Sequence, residues 1–223
     1  MMSKAINLLL AWAGAISALG YTTAAHAQDA AAGEKKAAMC IGCHGIVGYQ
    51  ASFPVVYKVP MIAGQNAKYI VNALTAYKKG ERRHPSMRGV AGSLTDADMD
   101  DLAAFYAGQG ASMIKPVADT PAAAPSPEVA ELLTKGACAS CHGPNFSKPI
   151  DPAYPKIAGQ HNDYLYQALK SYSVGGNVGQ FGRANAIMGG QVKQFKLEEL
   201  KLLANYIGSL PGETRTVPQS KFR

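Results

Sequence analysis

Cys40-Ile41-Gly42-Cys43-His44 and Cys138-Ala139-Ser140-Cys141-His142 contain all four cysteines of this chain. In each frame two residues separate the thiols, and a histidine follows at once. Four cysteines in an exported protein ordinarily suggest disulfides, but chance pairing does not place a histidine after both pairs. A zinc ribbon needs its paired thiols about fifteen to twenty residues apart; the two frames here are offset by 98 residues. A thioredoxin-like thiol pair needs a β-α-β setting, which the surrounding sequence lacks. Covalent attachment of c-type haem accounts for every element of the motif. The thiols add to the porphyrin's vinyl groups, a turn of helix sets their separation, and the next residue points its imidazole at the iron. The expected attachment points of two haem c groups are thus Cys40, Cys43, Cys138 and Cys141, and the expected proximal iron ligands are His44 and His142.

Outward from the two frames the chain repeats itself. Pro60-Met61-Ile62-Ala63-Gly64-Gln65 returns as Pro155-Lys156-Ile157-Ala158-Gly159-Gln160, and Leu102-Ala103-Ala104-Phe105-Tyr106 as Leu203-Ala204-Asn205-Tyr206-Ile207. The offset drifts from 98 at the histidines to 95 at the Ala-Gly-Gln block and 101 at the last helix, as loop insertions would produce, the larger being the glycine-rich 175–182. Each copy reads as three main helices. The first (30–39 and 128–135) leads into the haem motif. The second (66–79 and 161–172) spaces Tyr69, Ile70 and Leu74, then Tyr164, Leu165 and Leu169, at helical intervals. The third starts at Thr95-Asp96, with Asp98 in its first turn; its counterpart (196–207) carries Leu200, Leu203 and Tyr206. These stripes are ordinary core. Alternating β-branched residues are scarce, so the fold class is all-α, in two tandem domains, 28–112 and 128–223. A semi-rigid Pro/Ala-rich linker, 113–127, joins them. Domains this small bury a limited share of their surface, and a porphyrin would complete each core.

The first 27 residues read as a secretory signal peptide. Lys4 is followed by an apolar run, 5–19, and then by Ala25-His26-Ala27, which suits signal peptidase and gives a mature start at Gln28. A retained anchor is the alternative, but a spanning helix needs ~20 apolar residues and this run is shorter; no stable membrane insertion is expected after cleavage. The formal charge of +7 falls to +6 without Lys4. Residues 28–115 hold ten basic against seven acidic side chains, and 116–223 eleven against eight. That even, modest excess suits steering toward acidic protein partners and is too dispersed for nucleic acid.

The sixth iron ligand decides between carrier and catalyst. Met188 is the single methionine after His142, and Met87 lies at the matching place, offset by 101. Both stand on segments read as irregular, just before the last helix of their copy. Met39, Met61, Met99 and Met113 compete in the first half, but Met61 aligns with Lys156 and Met99 falls within a helix. His84 has no counterpart histidine and reads as a surface residue; His161 matches Asn66 at a helix start. Met87 and Met188 are therefore the expected axial partners of His44 and His142. A thioether favours reduced iron, and with both axial positions filled neither oxygen nor peroxide has a place to bind. Pro60 and Pro155 are candidates to offer the carbonyls that hold the ligating imidazoles.

The whole mature chain resembles the dihaem cytochrome c4 family in its paired motifs, its Pro-x-Ile-Ala-Gly-Gln blocks and the placement of Met87 and Met188. Residues 185–194 and Ser209-Leu210-Pro211-Gly212 add to that likeness; Met61 departs from it, standing where a basic or polar residue is usual. The resemblance implies two tandem class I cytochrome c-like domains related by a pseudo-twofold axis, with haem edges near their boundary. It also implies a bacterial periplasmic location, and electron delivery from a cytochrome bc complex to a terminal oxidase. An electron-accepting subunit of a dehydrogenase, like the dihaem subunit of flavocytochrome sulfide dehydrogenases, is the second reading. A dihaem peroxidase is the third, and it needs an iron that can open to peroxide.

Overall fold

Residues 28–175 and 179–218 are described in the computed structural model of the chain, so the export segment expected at 1–27 lies outside the described residues. The first half contains α1 (Ala30–Lys36), α2 (Ala38–His44), α3 (Ala67–Lys79), α4 (Pro85–Gly92) and α5 (Asp96–Gly108). The second contains α6 (Pro127–Lys135), α7 (Cys138–His142), α8 (Asn162–Val174), α9 (Ala186–Val192) and α10 (Leu197–Ser209). Four two-residue strands complete the described residues: β1 (Gln50–Ala51), β2 (Tyr57–Lys58), β3 (Arg82–Arg83) and β4 (Gly182–Arg183). The fold is all-α, as expected, in two halves of like helix order. No helix among the described residues is long and apolar enough to cross a membrane.

Local chemistry sets the helix ends. Asp29 caps α1 through Oδ1, and Lys35 and Lys36 close its last turn, where cations suit the helix dipole. The single first helix expected over 30–39 is in fact two. The break falls at Ala37, whose N–H reaches back to the Glu34 carbonyl as the chain tightens before the thiol-bearing turn. Gly80, at φ 77°, ends α3 in the left-handed conformation that glycine adopts without strain. Thr95 and Asp98 cap each other across the start of α5.

In the first half α1 crosses α5 so closely that a Cβ on Gly33 would lie 2.1 Å from the Asp101 carbonyl oxygen. The buried Asp101 side chain ties the crossing together, taking the Asp29 N–H at 3.0 Å and the Lys36 ammonium at 2.7 Å. Gly33→Ala should therefore part the two helices and destabilise the first half by about 1–3 kcal/mol, the usual cost of overpacking. Denaturant unfolding of the haem-loaded protein checks this; an unchanged midpoint would mean that the crossing relaxes freely.

The core of the first half gathers Ile41, Leu74, Leu94, Met99, Leu102 and Tyr106. The second half has two smaller clusters, one around Phe146, Leu165, Ile207 and Leu210, the other around Leu132, Val192, Leu200 and Leu203, with Leu133, Tyr166 and Leu169 bordering both. Among the described residues the β1–β2 hairpin has no counterpart in the second half. The second turns back more tightly, through Phe146 at φ 59°, whose carbonyl takes the N–H groups of Ile157 and Ala158. The Pro/Ala-rich segment lies against the second half, held by Asn145 on the Ala118 carbonyl, Lys148 on Asp119 and Tyr206 on the Ala123 carbonyl. The halves meet through β3 and β4, antiparallel with Arg82 opposite Arg183. After α10 the chain crosses to the first half, where Arg215 N–H donates to the Ala63 carbonyl at 2.9 Å.

Candidate functional site

α2 and α7 carry the two Cys-x-x-Cys-His frames. All four thiols are free rather than joined as disulfides, and each is partly exposed. Burial pushes the Cys40 and Cys138 thiols upward. His44 Nδ1 lies 2.8 Å from the Pro60 carbonyl and His142 Nδ1 3.0 Å from the Pro155 carbonyl. A carbonyl only accepts, so Nδ1 holds the proton in each ring and Nε2 keeps a lone pair. Burial pushes both imidazoles below the usual histidine range, which favours the neutral, ligating form.

Met87 and Met188 sit in the first turns of α4 and α9, where irregular chain was expected. The helices begin there because the backbone is capped: His84 Nδ1 accepts the Met87 N–H at 3.4 Å, Asn185 Oδ1 accepts the Met188 N–H at 2.9 Å, and Pro85 suits the first helical position. Each thioether is half-buried against the core of its own half. The competing methionines are placed otherwise. Met39 and Met113 are 58% and 55% exposed, and Met99 is a core residue 3.6 Å from the Thr75 hydroxyl. The backbone of Met61 is engaged at the boundary between the halves. His84, read as a surface residue, is instead half-buried as the cap of α4 and meets the Phe53 ring edge-on. His161 holds the start of α8 with no capping bond from its side chain.

The sequence reading passed over a buried cluster between the halves. Arg82 and Arg183 are 8% and 9% exposed. Their guanidinium groups donate to the Tyr164 hydroxyl at 3.4 and 3.2 Å, and Arg82 also donates to Tyr69. Tyr77 and Tyr172 lend their ring faces, 4.6 Å from Arg82 and 5.2 Å from Arg183. Burial alone would raise the Tyr164 phenol, but the two guanidiniums outweigh it and bring the group down to about 8. Among the described residues no carboxylate pairs with either arginine, and Arg82 Nε has no partner. A signal was available: Arg82 and Arg183 share the offset of 101 that relates Met87 to Met188.

The cytochrome c family profile matches residues 30–107 and 127–211, one match to each half. Cytochrome c4 of Azotobacter vinelandii is 32% identical over 228 residues, covering 94% of this chain and 100% of that one. The chain belongs to the cytochrome c4 family. Reduced recombinant cytochrome c4 from Pseudomonas stutzeri shares its fold at a TM-score of 0.61 and 28% identity, over 82% of this chain and 100% of that one. A thiosulfate dehydrogenase electron acceptor of Thiomonas intermedia is 30% identical, covering 74% of this chain and 76% of its own length. As a member of this family the chain carries two covalently attached haem c groups and is an electron carrier rather than an enzyme. The donor set of each half fits that group: two free thiols one turn apart, and a neutral imidazole whose second nitrogen is already bound. The guanidinium groups of Arg82 and Arg183, bonded to tyrosine hydroxyls but paired with no carboxylate among the described residues, suit haem carboxylates.

Proposed function

We propose that His44 and Met87 hold one haem iron and His142 and Met188 the other, with Cys40, Cys43, Cys138 and Cys141 as the covalent anchors. In this reading the mature chain, from Gln28, passes single electrons between proteins in the periplasm. Its working units are 28–112 and 128–223, joined by 113–127. The arrangement that carries the reading is the pair of buried imidazoles, each fixed at Nδ1 by a proline carbonyl and each matched in its own half by a half-buried thioether at a capped helix start.

When bound, each haem supplies a one-electron iron couple. The protein's part is to hold its ligands still. The Pro60 and Pro155 carbonyls fix ring tautomer and plane, and the His84 and Asn185 caps fix the turns that bear the thioethers. With an imidazole and a thioether offered to each iron, no place would remain for a substrate, and unchanging ligands would keep reorganisation small. Arg82 and Arg183 would receive haem carboxylates at the boundary, neutralising charge that burial would otherwise penalise.

A cytochrome bc complex as donor and a terminal oxidase as acceptor form the favoured route. Service to a periplasmic dehydrogenase is the second reading, and the similarity to a thiosulfate dehydrogenase electron acceptor speaks for it. A redox titration of the exported protein tests the ligand assignment. Two one-electron centres are expected, each with the weak near-infrared band of methionine-bound ferric haem, and carbon monoxide should leave the ferrous Soret band in place. A Soret shift would revive the peroxidase alternative. Reduction by a bc complex and co-purification with a dehydrogenase separate the two partner readings, and the first residue of the exported chain tests cleavage before Gln28.

A further inference from the structure

Each half ends its repeated block with a glutamine, and each glutamine reaches into the other half. Gln160 Oε1 accepts the Met61 N–H at 3.0 Å, and Gln160 Nε2 donates to the Met61 carbonyl at 2.8 Å. Gln65 treats Lys156 in the same way, accepting its N–H at 2.9 Å and donating to its carbonyl at 2.9 Å. Both side chains are buried, at 4% and 5% exposure. Each Oε1 also takes the N–H of the next residue in its own chain, His161 or Asn66, at 3.0 Å. The donors and acceptors therefore admit a single orientation of each amide.

The peptide units involved are the ones that hold the proximal histidines. The Met61 N–H belongs to the same peptide plane as the Pro60 carbonyl, which lies 2.8 Å from His44 Nδ1. The Lys156 N–H shares its plane with the Pro155 carbonyl, 3.0 Å from His142 Nδ1. One peptide thus separates each glutamine from the histidine of the opposite half. Resonance couples the two ends of a peptide. An acceptor on the N–H adds negative charge to the carbonyl oxygen, and hydrogen bonds in such chains strengthen one another.

We infer that Gln160 is a positioning residue for His44, and Gln65 for His142, so that each half tunes the iron held by the other. The inference rests on the axial ligation proposed above. A stronger bond from Nδ1–H to its carbonyl makes the imidazole a better electron donor, which favours ferric iron. Each glutamine therefore holds down the reduction potential of the haem across the boundary. Docking of the halves and redox tuning become one event: a partner that loosens the boundary raises both potentials together.

Gln160→Leu and Gln65→Leu in the full-length dihaem protein test this, read by the two potentials and by the paramagnetically shifted Nδ1–H resonances of His44 and His142. Those resonances must first be found in the unaltered protein; a ring without the shift would overturn the ligand assignment itself, and the inference with it. With both rings shifted, Gln160→Leu should raise the potential of the His44 haem and move the His44 resonance, leaving the other site in place. Gln65→Leu should do the reverse. A change at the haem of the variant's own half, equal changes at both, or no change would refute crossed tuning. Should a leucine variant fail to take up two haems, Gln160→Met and Gln65→Met keep the length and flexibility of the side chain while removing both amide bonds. The same crossed rise is then expected, and the same three outcomes refute it.

Discussion

Met188→His is expected to lower one of the two reduction potentials and leave the other nearly in place. Met188 lies in the first turn of α9, with its N–H on Asn185 and its side chain against the cluster of Leu132, Val192, Leu200 and Leu203. An imidazole there starts from the same capped turn, so the change is one of ligand chemistry more than of backbone. A thioether is soft and favours the electron-rich ferrous iron; a second imidazole favours the ferric state. Axial ligands set haem potentials over about 0.8 V, so a fall on the order of 0.1 V is a modest share of that range. At about 59 mV per tenfold for one electron, it would favour the oxidised form roughly fifty-fold. Potentiometry followed by absorbance measures the change, and the near-infrared methionine band should lose half its amplitude. If the band is untouched, Met188 is not the ligand; if both potentials fall equally, the sites are not separate.

The motif that carries the cofactor was legible because its chemistry is local. Two thiols and an imidazole within five residues need no tertiary partner to be recognised, and the repeat then gave the domain pair and the equivalence of Met87 with Met188. Helix positions followed from apolar spacing, as with Tyr69, Ile70 and Leu74. What could not be read is what depends on residues far apart. The break at Ala37 comes from the tight turn that aims the thiols rather than from propensity, since alanine favours helix. His84 reads as exposed beside two arginines until α4 is folded, when its ring becomes a backbone cap. Arg82 and Arg183 went unnoticed, because nothing in a single sequence announces that β3 and β4 pair and close over them. The glutamine exchange was hidden for the same reason. Gln65 and Gln160 were visible as a repeated motif, but only packing shows that each serves the opposite half.

Removing the covalent anchors of one half should have the largest effect on the whole chain. With Cys138→Ala and Cys141→Ala together, the second half would keep His142 and Met188 but lose both thioether bonds. Its apolar core is divided between two small clusters that share Leu133, Tyr166 and Leu169 at their border. A half this small buries too little surface to enclose a porphyrin by packing alone, so an unanchored haem should dissociate. The exported variant should then hold one haem per chain in place of two, and its second half should lose fixed tertiary structure. The first half has a single larger cluster and its own anchors, Cys40 and Cys43, so it should retain its haem. Its boundary would suffer, because Met61, Lys58 and Asn66 depend on Gln160, Asp163 and the Tyr154 carbonyl. The retained haem should therefore titrate at a raised potential, since the Gln160 contact to the Pro60–Met61 peptide is lost with the docked second half. Haem absorbance per chain, intact mass and a two-stage thermal unfolding curve reduced to one stage would record these changes. Retention of both haems would show that the axial ligands suffice without the thiols. Loss of both would show that neither half stands without the other.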